Sequence, residues 1–317
     1  MANTANKLRI IFGETVLGVK GDGFHYMFNY ARGGFESLNR NGKEWIYRVP
    51  KPAFWRATTC NDRANNFSIK SNMWMGADLF SKAYKAEIIR DGVNLGMPTH
   101  PEINDLSNQE FCQELSIKMS YRINTVPATD VDVTYTIYPC GGIKVTCKYF
   151  GQKGLPQLPM FGLRFIMPTK AVSFTYDGLS GETYPDRMAG GEAGVYTVEG
   201  LPVTPYIVPQ ECGMHMDTNW VEITRNTTRR NTDTVSENFS LRFEKADETF
   251  AFSCLPYTPF ELENATHHEE LPPARFTVLT IAGKVRGVGG IQTWGADVEE
   301  AYHISGEEDH AFSFMIK

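Results

Sequence analysis

No run of 18 apolar residues occurs anywhere in the 317-residue chain, which leaves no candidate for a membrane-spanning helix. The opening residues, MANTANKLRIIFGETVLG, contain no apolar core of signal-peptide length, so a cytoplasmic protein is expected. Cysteine is sparse: Cys60, Cys112, Cys140, Cys147, Cys212 and Cys254 are scattered and never form CxxC. Reduced thiols are therefore expected rather than a disulfide framework. The sequons at Asn226, Asn238 and Asn264 would then meet no glycosylation enzyme. There is no basic run, and the net charge of −6 disfavours nucleic acid or an anionic membrane as partner. No GxGxxG opens a helix, and neither a P-loop nor a G-x-S-x-G elbow is present, so nucleotide-cofactor and serine-hydrolase chemistries lack their motifs. Without a Ser/Gly-rich linker, a low-complexity tract or an internal repeat, one continuous β-rich domain over residues 1–317 is expected.

What the chain does have is alternation. Phe24, Tyr26, Phe28 and Tyr30 interleave with polar residues, as do Val131, Val133, Tyr135 and Ile137, and then Ile143, Val145, Cys147 and Tyr149. Pro139-Cys140-Gly141-Gly142 between the last two runs predicts a hairpin. Phe239/Leu241/Phe243 and Phe250/Phe252/Cys254 predict a second hairpin around residues 245–249, and the polar stretch 226–238 reads as a long hairpin tip or surface loop. Leu163/Phe165/Met167 and residues 277–282 add strands. Hydrophobic content of 42% and charged content of 21% suit a globular chain. Strands with one polar face imply an all-β fold of packed antiparallel sheets. Only two helices suggest themselves. Residues 71–84 place Trp74, Ala77, Phe80 and Tyr84 on one face. Thr258-Pro259-Phe260-Glu261 is a helix start with a capping box, in a helix that should end before Pro272-Pro273.

Few residues offer chemistry. His267-His268 beside Glu269-Glu270 point apart on any regular element and read as solvated surface. Cys212-Gly-Met-His215 has ligand-like spacing but no second pair. The glycine-rich stretch 178–191, GLSGETYPDRMAGG, holds Glu182, Asp186 and Arg187 around Tyr184, with Glu211 downstream. Glycoside hydrolysis needs two facing carboxylates roughly 5–9 Å apart, and no spacing here brings two together. The simpler reading is that Asp186 and Arg187 fix a loop through charge-assisted hydrogen bonds. Residues 55–67, WRATTCNDRANNF, form either a plain polar connection or a mobile flap over a polar ligand. In 285–295, VRGVGGIQTWG, glycines at 287, 289, 290 and 295 shape a loop around Trp294. That indole is either an ordinary part-buried aromatic beside a turn or a platform for the apolar face of a sugar.

In that order WRATTCNDRANN, GLSGETYPDRMAGG, VTPYIVPQECGMHM and VRGVGGIQTWG resemble the C-terminal domain of the large bacterial β-galactosidases of glycoside hydrolase family 2, over about residues 8–314. A chain of this size is similar to the small subunit of the two-subunit β-galactosidases. The resemblance implies a galactose-mutarotase-like supersandwich and a retaining enzyme acting on β-galactosides such as lactose. Its catalytic glutamates would lie on the TIM barrel of a large partner subunit, so no catalytic residue is expected in this chain. No cofactor is expected here either, with Mg and Na ions on the large subunit. Trp294 would complete the sugar pocket on its glucose or acceptor side. Cys60, Asn61, Asp62, Arg63, Ala64 and Asn65 would belong to a mobile active-site loop, in which Ala64 replaces a common glycine and Cys60 a common acid. Tyr184, Asp186 and Arg187 would serve positioning and subunit packing. Two rivals share the fold. A stand-alone aldose mutarotase or epimerase would need an acid and a base, with His100, His215 and His303 on hand. A carbohydrate-binding module would need neither acids nor partner.

Overall fold

In the computed structural model, residues 7–97, 110–234 and 236–317 are described; His100 lies outside them. The hairpin expected from alternation is present. Strands Thr129–Ile137 and Ile143–Tyr149 pair antiparallel, with Val131 opposite Tyr149 and Ile137 opposite Ile143. The alternate residues Val131, Val133, Tyr135, Ile137, Ile143, Val145, Cys147 and Tyr149 are all buried. The other face carries ion pairs such as Lys118–Asp132 and Arg122–Asp130, both at 2.8 Å. This hairpin sits inside a ten-stranded antiparallel sheet running from Ala193–Glu199 at one edge to Val93–Gly96 at the other.

Two smaller sheets cover the apolar face. A six-stranded sheet, including Phe24–Asn29 and Gly34–Arg40, brings Phe28 and Phe35 to within 5.5 and 4.7 Å of the Tyr135 ring. A five-stranded sheet has the order Met214–Thr218, Phe250–Leu255, Thr277–Val285, Met160–Met167, Arg48–Ala53. It sets Phe161 5.8 Å from Tyr149 and Phe165 5.2 Å from Phe243. One long sheet packed by two others is a supersandwich, and burial of each such ring contributes roughly 1.5–3 kcal/mol relative to its exposure to water.

The second expected hairpin does not form. Strand Phe239–Lys245 pairs with Trp220–Arg225 and His310–Ile316 in the ten-stranded sheet, whereas Phe250–Leu255 pairs with Met214–Thr218 and Thr277–Val285 in the five-stranded one. The intervening residues carry the chain from one layer to the other. Phe250–Leu255 is buried at every position, as a central strand covered on both faces must be. The polar stretch 226–238 does join two paired strands, Trp220–Arg225 and Phe239–Lys245.

Four short helices occur among the described residues: α1 (Cys60–Ala64), α2 (Phe67–Lys70), α3 (Met73–Phe80) and α4 (Pro259–Asn264). The helix expected over 71–84 is shorter. Trp74 and Ala77 are buried, but Phe80 is exposed and Tyr84 lies on strand Lys82–Arg90. Helix α4 begins as expected, with Thr258 and Glu261 forming a capping box and Pro259 in the first turn. All six cysteines are free. No helix among the described residues is long and apolar enough to cross a membrane.

Candidate functional site: an exposed indole on a clamped loop

Strand Thr277–Val285 delivers the chain into residues 286–298, which carry Trp294 outward. The indole is 82% exposed and Ile291 on the same loop 59% exposed, so Trp294 is not a part-buried turn residue. Exposed aromatic surface of this kind is uncommon unless something covers it. Around it the backbone is tightly held. Gly289, Gly290 and Gly295 adopt positive φ, and a Cβ at Gly290 would collide with the Asn61 side-chain amide.

The holding groups come from two places. From α1, Asn61 donates through Nδ2 to the Val288 carbonyl (3.4 Å) and accepts through Oδ1 from the Gly295 N–H (3.1 Å), spanning the loop on both sides of Trp294. Asn65 reaches Asp297 at 3.3 Å, and Ala64 packs its methyl against Gly295. From the YPDR turn, Asp186 accepts from the N–H groups of Val288 (3.0 Å) and Gly289 (2.8 Å), while Arg187 donates to the Gly289 carbonyl. Asp186 and Arg187 thus fix a loop, and it is the loop of Trp294.

Beneath the clamp lies a buried ion network. Arg56 (2% exposed) meets Asp62 (1% exposed) through two hydrogen bonds of 2.6 and 3.2 Å, and its Nη2 also donates to the Gly287 carbonyl. Burial opposes the guanidinium charge, but Asp62 outweighs burial and holds the Arg56 pKa above its ordinary value. Arg286, equally buried and lying 3.9 Å over the Phe67 ring, donates to Asp297 at 2.6 Å. Burial pushes the Asp297 carboxyl up, yet Arg286 pulls it further down.

Residues 60–64 are therefore not a free polar loop but a helix. Thr59 caps it, Asp62 closes the capping box, and the Cys60 N–H donates to Gln210 at 2.8 Å. Arg63 folds back onto Thr58, and only Cys60 shows a side chain with little holding it, an exposed thiol 3.7 Å from Arg63. The sequence reading missed Arg56 and Arg286 altogether. A signal was available: each is an arginine next to buried strand or aromatic residues, where a guanidinium needs acceptors to hold its charge.

Of the nearby acids, Glu299 stands exposed at the edge of the loop, where it lines a small pocket with Gly289 and Gln292. Glu211 is buried beside Arg56 and Arg164 in a small internal cavity. Burial pushes its carboxyl up to about 7, with Arg56 opposing and Glu182 adding to the rise. Tyr184 is buried, and its hydroxyl has no partner among the described residues. Burial, then Glu211, hold that phenol well above its usual range. His215 stacks on Phe252 at 4.8 Å and lies 4.5 Å from Tyr176; burial drops its pKa to about 4. His303 bonds Gln157 and the Val298 carbonyl, holding the end of the Trp294 loop. His215 is withheld from solvent, and both ring nitrogens of the half-buried His303 are engaged. His267 and His268 are exposed, as expected. Among the described residues no three His, Cys, Asp or Glu side chains are grouped to hold a metal ion.

The chain is 55% identical over 316 residues to a β-galactosidase small subunit from Latilactobacillus sakei, covering 100% of this chain and 99% of that one. It is 32% identical to a β-galactosidase from Halalkalibacterium halodurans, spanning 99% of this chain but 28% of the length of that relative. Among solved structures it is similar to a putative aldose 1-epimerase from Escherichia coli, with a TM-score of 0.46 and 11% identity over 96% of this chain and 99% of that one. Residues 20–316 match the family model described as beta galactosidase small chain, and the chain belongs to that family.

Proposed function

We propose that this chain is the non-catalytic half of a two-chain β-galactosidase, supplying one wall of a sugar pocket that a large partner completes. The observation that carries this reading is an indole displayed on a loop whose neighbouring carboxylates Asp62, Asp186 and Asp297 are engaged in holding it, with Glu299 left exposed at its edge. Asp62 faces Arg56, Asp186 faces two backbone N–H groups, and Asp297 faces Arg286. A retaining hydrolysis needs two free carboxyl groups flanking the glycosidic bond, and these come from the partner. Trp294 stacks on the glucose or acceptor ring, and α1 forms the polar rim beside it. The chain's contribution is orientation of the sugar and partial exclusion of water. Any Mg or Na ion that assists resides on the partner. The clamp restricts the motion expected of residues 60–65, so closure over the sugar involves the Cys60 end and the rim rather than unfolding of α1.

The exposed aliphatic and aromatic side chains around the site, Ile291, Ile207 and Tyr206 with Trp294, provide apolar surface for the partner to cover. The deciding experiment purifies this chain and the product of the adjoining large-subunit reading frame separately, then assays galactoside hydrolysis by each and by the mixture. Activity is expected in the mixture alone. Full-rate hydrolysis of lactose by this chain by itself overturns the reading, and accelerated mutarotation of glucose by this chain would turn it into an epimerase.

A further inference from the structure

A cavity of about 690 Å³ lies between the edge strand Arg48–Ala53, α3 and the start of α4, sharing no residue with the Trp294 loop or its clamp. Its size is that of a site for a metabolite-sized ligand. Its charge is unlike that of the chain as a whole. Arg32, Arg48, Lys51, Lys82 and Arg164 line it against two carboxylates, in a protein of net charge −6.

Both carboxylates are already engaged. Asp78 accepts from Arg164 and from the N–H groups of Phe54 (2.6 Å) and Trp55 (3.3 Å). Glu261 holds the start of α4 through the Thr258 N–H (2.7 Å) and hydroxyl (2.8 Å). Arg32 has only the exposed Glu36, at 3.5 Å. Lys51 donates to the Ser81 carbonyl at 3.4 Å, and among the described residues neither Arg48 nor Lys82 has a carboxylate partner. Ser81 itself is buried, and it meets the cavity cation Lys51 through its backbone carbonyl. The remaining wall is aromatic: Tyr47 stacks on Phe276 at 4.8 Å, with Arg229 over both rings.

We propose that this cavity binds a ring-bearing phosphate monoester, a sugar phosphate being the simplest case. The phosphate sits among Arg48, Lys51 and Lys82, and the ring lies against Tyr47 and Phe276. Cations free of carboxylates suit a dianion, and the aromatic pair separates a ring-bearing ligand from a bare ion.

Isothermal titration calorimetry on the purified full-length chain tests this with glucose 6-phosphate, inorganic phosphate and glucose as probes. Glucose 6-phosphate is expected to bind, inorganic phosphate at least fivefold more weakly, and glucose not at all. The double variant Lys51→Gln/Lys82→Gln should weaken glucose 6-phosphate at least tenfold, and Trp294→Ala should leave its affinity unchanged. Absence of binding by either phosphate, or equal affinity in the double variant, overturns the site. Equal affinity for glucose 6-phosphate and inorganic phosphate overturns the role of the aromatic wall.

Discussion

The hairpin Thr129–Ile137/Ile143–Tyr149 and the clamp around Trp294 are both densely bonded, but different forces hold them. In the hairpin, every second side chain is apolar and the register follows from which face must leave water. In the clamp, Arg56, Asp62, Arg286, Asn61, Asp186 and Asp297 hold a glycine-rich loop with ionic and amide hydrogen bonds. An apolar core tolerates approximate substitution because dispersion and burial are non-directional. A buried polar network loses much more when one member goes, since its partner is left charged and dry.

The sharpest break of that comparison is Arg56→Ala. It strands Asp62 and is expected to cost about 3–5 kcal/mol by urea unfolding. Ile137→Val in the hairpin should cost about 1 kcal/mol. Similar losses for the two would show the clamp to be no more exacting than the core.

Glu211→Gln sharpens it by pH. A carboxyl whose folded pKa is raised to about 7 from an ordinary 4.5 favours folding fully below about pH 4.5, and that contribution is lost as the pH rises through 7. The wild type should therefore lose on the order of 1–3 kcal/mol relative to the glutamine variant between pH 5 and pH 8. A constant difference across that range would place Glu211 in a wetter setting than its burial implies.

Trp294→Ala separates holding from binding. Stability should stay within about 0.5 kcal/mol of wild type, the indole being exposed. Turnover and glucose-acceptor binding in the reconstituted enzyme should fall by about 1–3 kcal/mol, roughly 5- to 150-fold. Unchanged kinetics would remove the indole from the pocket. Thr258→Ala, which touches neither region, loses the cap of α4 at about 1 kcal/mol in thermal unfolding.

Much of the architecture was legible because period two and capping chemistry are local. The 129–149 hairpin and the start of α4 needed no information from elsewhere. Other features were not local. Phe239–Lys245 and Phe250–Leu255 carry similar alternation, yet one joins the large sheet and the other a small one. Tyr84 continues the helical spacing of Trp74 and Ala77 but stands on a strand, because Lys82–Arg90 is claimed by Leu115–Ile123. The polar residues at 60–65 read equally as a plain connection or a mobile flap, and they form a capped helix bonded to the Trp294 loop.

The sequence by itself determined the all-β class, the exposed and buried faces of most strands, and the four motifs that carry the family resemblance. Each depends on residues a few positions apart. Only the tertiary structure decided that Asn61 meets Gly295, that Asp186 meets Val288 and Gly289, and that Arg56 shares Asp62 with Arg286. The physical reason is that buried charges and backbone amides are satisfied by whatever the fold brings near. Apart from Arg56 and Asp62, six residues apart, such pairings span 100 to more than 230 residues of chain and leave no periodic trace in it.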